Sequence, residues 1–99
     1  ELLEVDQIIH CKSDSNYSEI HLENGKTLVA SKTLKEFDEM LSNKGFLRIH
    51  NSHLVNLEKV KKILKADGGY VEMSNGDKLG ISRNRKEELF KFLEHIKNT

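Results

Sequence analysis

The chain has 99 residues, 36% hydrophobic and 32% charged, with 16 basic and 16 acidic side chains and a formal net charge of zero. That suits one domain with a small core, and the patterning excludes disorder. No apolar run approaches the roughly 20 residues of a membrane helix, no secretory segment is present, and the single cysteine, Cys11, excludes an internal disulfide and fits a reducing compartment.

Leu2 to Cys11 carries apolar anchors at Leu3, Val5, Ile8 and Ile9 and reads as one strand or two short ones. The cluster Ser13 to Asn16 is a turn whose side chains bond the local backbone. Tyr17 to Leu22 alternates, with Ile20 and Leu22 on one face. Asn24-Gly25 is a strong hairpin signal, because both residues tolerate positive φ. Lys26 to Ser31 returns as the partner strand, with Leu28 and Ala30 on one face. Thr33 to Glu36 then forms a capping box, and Leu34, Phe37, Met40 and Leu41 make one apolar stripe of a helix that Gly45 ends.

Phe46 to Asn56 reads as two short extended pieces, with Leu47 and Ile49 in the first and Leu54 and Val55 in the second. Leu57 to Ala66 predicts a turn and a strand ending near Lys65, with helix as the alternative. Asp67-Gly68-Gly69 is a tight turn. Tyr70, Val71 and Met73 form a strand, Asn75-Gly76 a second hairpin turn, and Lys78 to Ile81 the return strand. A closing helix follows, with Asn84 as N-cap, Glu87 three residues on, and Leu89, Phe90, Leu93 and Ile96 as its buried stripe.

Charge is unevenly spread. The first quarter is acidic (Glu1, Glu4, Asp6, Asp14, Glu19, Glu23). The middle is basic (Lys44, Arg48, Lys59, Lys61, Lys62, Lys65), and Arg83, Arg85 and Lys86 follow. A neutral total can therefore hide a basic face, with an ordinary solvated surface as the alternative.

Chemistry concentrates at the junction of the two central strands. Arg48, His50, Asn51, Ser52 and His53 are hydrogen-bonding side chains with no acid among them. Arg48 suits phosphate or guanine, and Asn51 is of the type that bonds adenine N6 and N7 together. On the residues alone, a plain turn at Asn51 and Ser52 with Arg48 in a surface ion pair is the favoured explanation of the run. Asn56 reads as structural, bonding backbone. Ser82 to Lys86, at a strand-to-helix junction, is a candidate anion site. Of the five histidines (His10, His21, His50, His53 and His95), His50 and His53 are three residues apart but straddle a strand junction and lack carboxylate or thiolate company, and Cys11 points away from the face of His10. No metal or cofactor is expected. Nucleophile elbows, phosphate-binding glycine loops and paired active-site carboxylates are absent, so no enzyme is expected either.

The pattern Phe46-x-Arg48-x-His50-x-Ser52-x-x-Val55-Asn56 closely resembles the signature of LytTR-type DNA-binding domains, the output modules of many bacterial response regulators. The other pieces occur in that family's order: Tyr17 after a polar loop, Asn24-Gly25, the Thr33 to Glu36 helix start, Asn75-Gly76, and Ile81-Ser82-Arg83 before the last helix. The resemblance implies a mainly β fold with two short helices, an elongated arrangement of small antiparallel sheets. It also implies that loops, not a recognition helix, enter successive major grooves of bent DNA. Asn16, His50, Asn51 and Arg83 match the family's contact positions. Many relatives carry arginine in place of Asn51, a change that shifts preference from guanine toward adenine.

The expectation is thus a single LytTR-like domain over residues 1–99 of a cytoplasmic transcription regulator; its start at Glu1 reads as excision from a longer protein, with trimming at the start as the alternative. It would bind double-stranded DNA with repeated half-sites sequence-specifically, as a dimer on DNA, below a receiver domain. Arg48, Lys44 and Lys86 would meet phosphate; Asn16, Asn51 and Arg83 would meet bases or grooves. The competing expectation is a β-edge protein-interaction module without nucleic-acid binding.

Overall fold

Two pairs of adjacent apolar residues, Ile8-Ile9 and Leu54-Val55, call for strands covered on both faces. In the computed structural model, which describes residues 3–66 and 68–97, both pairs lie inside a five-stranded sheet. Its strands are β1 (Ile8–Asp14), β2 (Tyr17–Leu22), β3 (Thr27–Ala30), β4 (Phe46–His50) and β5 (His53–Asn56), in the order β3-β2-β1-β5-β4. A second sheet contains β6 (Val60–Leu64), β7 (Tyr70–Met73) and β8 (Lys78–Gly80) in that order. Every pairing is antiparallel.

Helix α1 (Leu34–Leu41) covers one face of the large sheet. Leu34, Phe37 and Leu41 pack there with Ile8, Cys11, Ile20, Leu22, Phe46 and Leu54. Helix α2 (Lys86–Lys97) and the small sheet cover the other face, where Leu89, Phe90 and Leu93 meet Ile9, Ile49, Val55, Val71 and Met73. Two cores therefore sit on opposite sides of one sheet, and the molecule extends 36 × 25 × 24 Å. Mainly β, with two helices and small antiparallel sheets, the fold matches expectation.

The capping box at Thr33 forms: Glu36 N–H donates to Thr33 Oγ1, and Thr33 N–H donates to the Glu36 carboxylate at 2.7 Å. Gly45 adopts φ +86°, the left-handed conformation that ends the helical segment. Residues 60–64 form a strand, not a helix, after a 3-10 turn at Leu57–Lys59.

Three local expectations change. Met40 is 51% exposed, because α1 turns only Leu34, Phe37 and Leu41 onto the sheet. Asn84 does not cap α2; it lies inside a 3-10 turn, Arg83–Arg85, that leads into the helix. The opening strand starts at Ile8, after a 3-10 turn at Val5–Gln7, and runs to Asp14, so its turn narrows to Ser15 and Asn16. Glu1, Leu2 and Asp67, named above, lie outside the described residues.

Two register shifts shape the large sheet. One falls between Ile8 and His10 of β1, the other between Arg48 and His50 of β4. An extra residue in a strand places neighbours on one side that strict alternation would separate. Ile9 accordingly enters the α2 core while Ile8 and Cys11 share the α1 core. Each shift leaves a histidine beside a buried isoleucine, His10 after Ile9 and His50 after Ile49.

Candidate nucleic-acid interface

The β4-to-β5 turn is held by its own residues. Arg48 Nη2 donates to the Asn51 carbonyl at 2.6 Å, and Ser52 N–H donates to His50 Nδ1 at 3.0 Å. Asn56 braces the far end of β5. Its Nδ2 donates to the Ile8 carbonyl at 2.9 Å, and its Oδ1 accepts from Glu58 N–H at 3.1 Å. Asn56 is buried and structural, as its position after Val55 suggests.

Backbone bonds bring two further turns to the same end of the sheet. Ser13 N–H donates to the Ser52 carbonyl at 3.1 Å, which carries the β1-to-β2 turn past the β4-to-β5 turn. Asn16 sits at the tip of that turn, between Asp14 and its strand partner Tyr17. Ser15 in that turn takes φ +56°. On the other side, Ser82 N–H donates to the Ile49 carbonyl at 2.7 Å, which places the Arg83–Arg85 turn against β4.

Asn16, His50, Asn51 and Arg83 are thus exposed on three turns at one end of the sheet. Arg48 is half-buried and committed to the turn. Its Nε is buried and has no partner among the described residues. Lys44 is exposed at the opposite end of β4, and Lys86 lines a separate depression with Lys65, Phe90 and Glu94, so neither joins this group. Arg85 does join it. It lines a concavity of about 170 Å³ with Asp38, Arg48, His50 and Asn51, while its Nε donates to Glu88 at 3.0 Å. The sequence singled out the Ser82–Lys86 segment, but only the fold selects Arg85 over Lys86 for this side.

Beside the turns lies an open depression of about 480 Å³ lined by His10, Lys12, His21, His50, His53 and Asp77, among others. His10 is 2% exposed; its Nε2 meets Asp77 Oδ2 at 2.8 Å, and its ring stacks on His21 with centroids 4.3 Å apart. Burial lowers the His10 pKa despite the Asp77 bond, and that same bond lowers the pKa of Asp77. The pair is therefore a neutral imidazole donating to a carboxylate. Burial, with His50 nearby, pulls His53 down to about 4. Sequence reasoning missed the His10–His21–Asp77 group, since Asp77 comes from the small sheet 67 residues after His10. Cys11 is fully buried, and that burial pushes its thiol up to about 12, which makes it a poor nucleophile. Among the described residues no helix is long and apolar enough to cross a membrane.

Comparison with known proteins identifies the family and the fold. The family model described as the LytTr DNA-binding domain matches residues 1–94. A solved structure, the LytTr DNA-binding domain of a protein described as a methyl-accepting/DNA response regulator from Bacillus cereus, superposes with a TM-score of 0.78 at 22% identity. The match covers 92% of this chain and 84% of that one. No curated protein matches.

Proposed function

The chain belongs to the LytTr DNA-binding domain family, and on that premise we propose that it reads a specific duplex sequence as the output module of a bacterial transcription regulator. The observation that carries this reading is the meeting of Asn16, His50, Asn51 and Arg83 on three turns at one end of a rigid sheet. Turn tips spaced this way suit entry into major grooves, where asparagine reads adenine and arginine reads guanine. Arg85 adds charge beside Asn51. Arg48 serves by fixing the turn, and Lys44 and Lys86 would meet phosphate only where DNA bends around the domain.

A zero net charge implies few phosphate contacts and modest affinity for one domain, so two modules on repeated half-sites would be needed for tight binding. The domain would then act in the cytoplasm, under a receiver domain in a longer chain. The β-edge alternative has less to offer a partner: β3, one edge of the large sheet, is four residues long.

Selection of bound duplexes from a random pool at modest salt tests the reading, with Asn51→Ala as control. Enrichment of a repeated motif that the variant loses is the expected result. Absence of enrichment at low salt by the folded domain would reject sequence-specific binding.

A further inference from the structure

We propose that His10, His21 and Asp77 form a binding site for a divalent transition-metal ion of the zinc or nickel class, which clamps the large sheet to the small one. His10 stands on β1 and His21 opposite it on β2, while Asp77 lies in the turn between β7 and β8. One ligand atom from each of the three residues lies within 4.8 Å of the other two. The His10–Asp77 distance is 2.8 Å and the His21–Asp77 distance 4.0 Å. An ion with bonds of about 2.0–2.1 Å in tetrahedral geometry holds its ligands roughly 3.3 Å apart. The observed distances bracket that value.

The surroundings fit a ligand set. His21 Nε2 bonds Glu19 Oε1 at 3.1 Å, which puts the ring hydrogen on Nε2 and leaves the Nδ1 lone pair between Thr27 Oγ1, which donates to it at 3.5 Å, and Asp77 Oδ2 at 4.0 Å; an ion would displace the Thr27 hydroxyl. A carboxylate behind a ligating histidine fixes its tautomer and strengthens it as a donor. Asn75 Nδ2 donates to Asp77 Oδ2 at 3.0 Å and orients that carboxylate. His10 is fixed by burial. His21 and Asp77, with 23% and 43% side-chain exposure, have room to adjust. Adjustment is required, because the two imidazoles are stacked only 15° from parallel and an ion must lie near both ring planes. A turn of the His21 ring meets that need. The ion then replaces the hydrogen between His10 and Asp77, and the neutral His10 ring carries its hydrogen on Nδ1, a buried atom without a partner among the described residues, which lowers the affinity.

Two nitrogens and one carboxylate oxygen favour zinc, nickel, cobalt or copper over magnesium or calcium. Water or His53, on the wall of the same depression, completes the shell. Lys12 and Lys78 line that depression too and oppose a cation, so the expected affinity is micromolar.

The test is thermal unfolding of the domain with zinc chloride titrated in a non-chelating buffer, alongside visible absorption with cobalt(II). The wild-type midpoint should rise by at least about 5 °C at a hundredfold excess over the dissociation constant. Cobalt should give the intense bands of a four-coordinate site. His21→Ala and Asp77→Asn, both at half-exposed positions that tolerate change, should lose both signals. His95→Ala, on the exposed side of α2, should keep them. No wild-type shift up to 1 mM zinc (about a thousandfold over micromolar), or equal shifts in all four proteins, overturns the site. DNA binding is not the readout, so failure here leaves the proposed function standing.

Discussion

Arg48 Nη2 donates to the Asn51 carbonyl at 2.6 Å, so the guanidinium holds the turn that presents Asn51. A side chain occupied in this way contributes to affinity through position. Arg48→Ala should weaken specific duplex binding about tenfold while leaving the slope of log affinity against log salt unchanged. A slope reduced by about 0.9 would instead make Arg48 a phosphate contact.

Arg83 is exposed, and its side chain makes no hydrogen bond or ion pair among the described residues. Its removal costs the fold little, and its place next to Ser82, which bonds the Ile49 carbonyl of β4, makes it a candidate for base contact. Arg83→Ala should lower specific affinity by roughly 1–3 kcal/mol and relax preference at one base pair, with the thermal midpoint essentially unchanged. Equal binding by variant and wild type across a salt series would remove Arg83 from the interface.

Some of this molecule was legible in the sequence because local chemistry decides it. Asn24-Gly25, the Thr33–Glu36 capping box and Gly45 each act within a few residues; the box and Gly45 act as read, while in the hairpin turn only Gly25 takes positive φ and Asn24 Oδ1 accepts from Lys26 N–H. Asn16, Asn51 and Arg83 were nameable from motif order, but their meeting depends on Ser13–Ser52 and Ser82–Ile49 backbone bonds that no local pattern announces. The register shifts at Ile9 and Ile49 were invisible for a related reason. Alternation pairs Ile8 with His10, whereas an inserted residue pairs Ile8 with Cys11. That shift turns His10 toward Asp77, so the histidine cluster stayed hidden. Met40 sits at the edge of a helical stripe, where periodicity does not say how wide the covered face is.

His53 sets an acid limit on stability. Its folded pKa of about 4 lies below the 6.5 of an ordinary imidazole, because burial disfavours its charge, with His50, His10 and Lys12 adding repulsion. Lys78 and Asp77 line the same depression. The unfolded chain therefore takes up a proton as pH falls below 6.5, and the folded chain does not until about 4. Stability should be full above pH 6.5 and decline by on the order of 2 kcal/mol across that window. His53→Asn should flatten the decline measured by urea unfolding at pH 7, 5.5 and 4.5. An equally steep loss in the variant would assign the effect to other groups.

Gly69 joins two demands at one position. It has φ +90°, and a Cβ there would stand 2.7 Å from Phe90 Cζ on α2. Both the backbone conformation and the helix contact exclude a side chain. Gly69→Ala should destabilise by roughly 1–3 kcal/mol. Gly80→Ala is the control, since a Cβ at Gly80 meets nothing within 4 Å. Matched midpoints for the two variants in thermal unfolding would mean that the turn before β7 adjusts freely.

Asn56 separates the structural part of the central motif from the part that meets DNA. It is 5% exposed, ties β5 to the Ile8 carbonyl on β1, and caps the following 3-10 turn. Asn56→Asp keeps the shape and the capping oxygen but replaces the amide donor with an acceptor, so the Ile8 carbonyl loses its partner and a charge is buried beside it. The expected cost is about 2–4 kcal/mol in urea unfolding. Asn56→Ala should cost about 2 kcal/mol, by loss of the cap and the bond. In conditions where both variants remain folded, each should bind the selected duplex as the wild type does, unlike Asn51→Ala five residues away. A specific loss of binding by folded Asn56→Ala would move this residue from the scaffold into the interface.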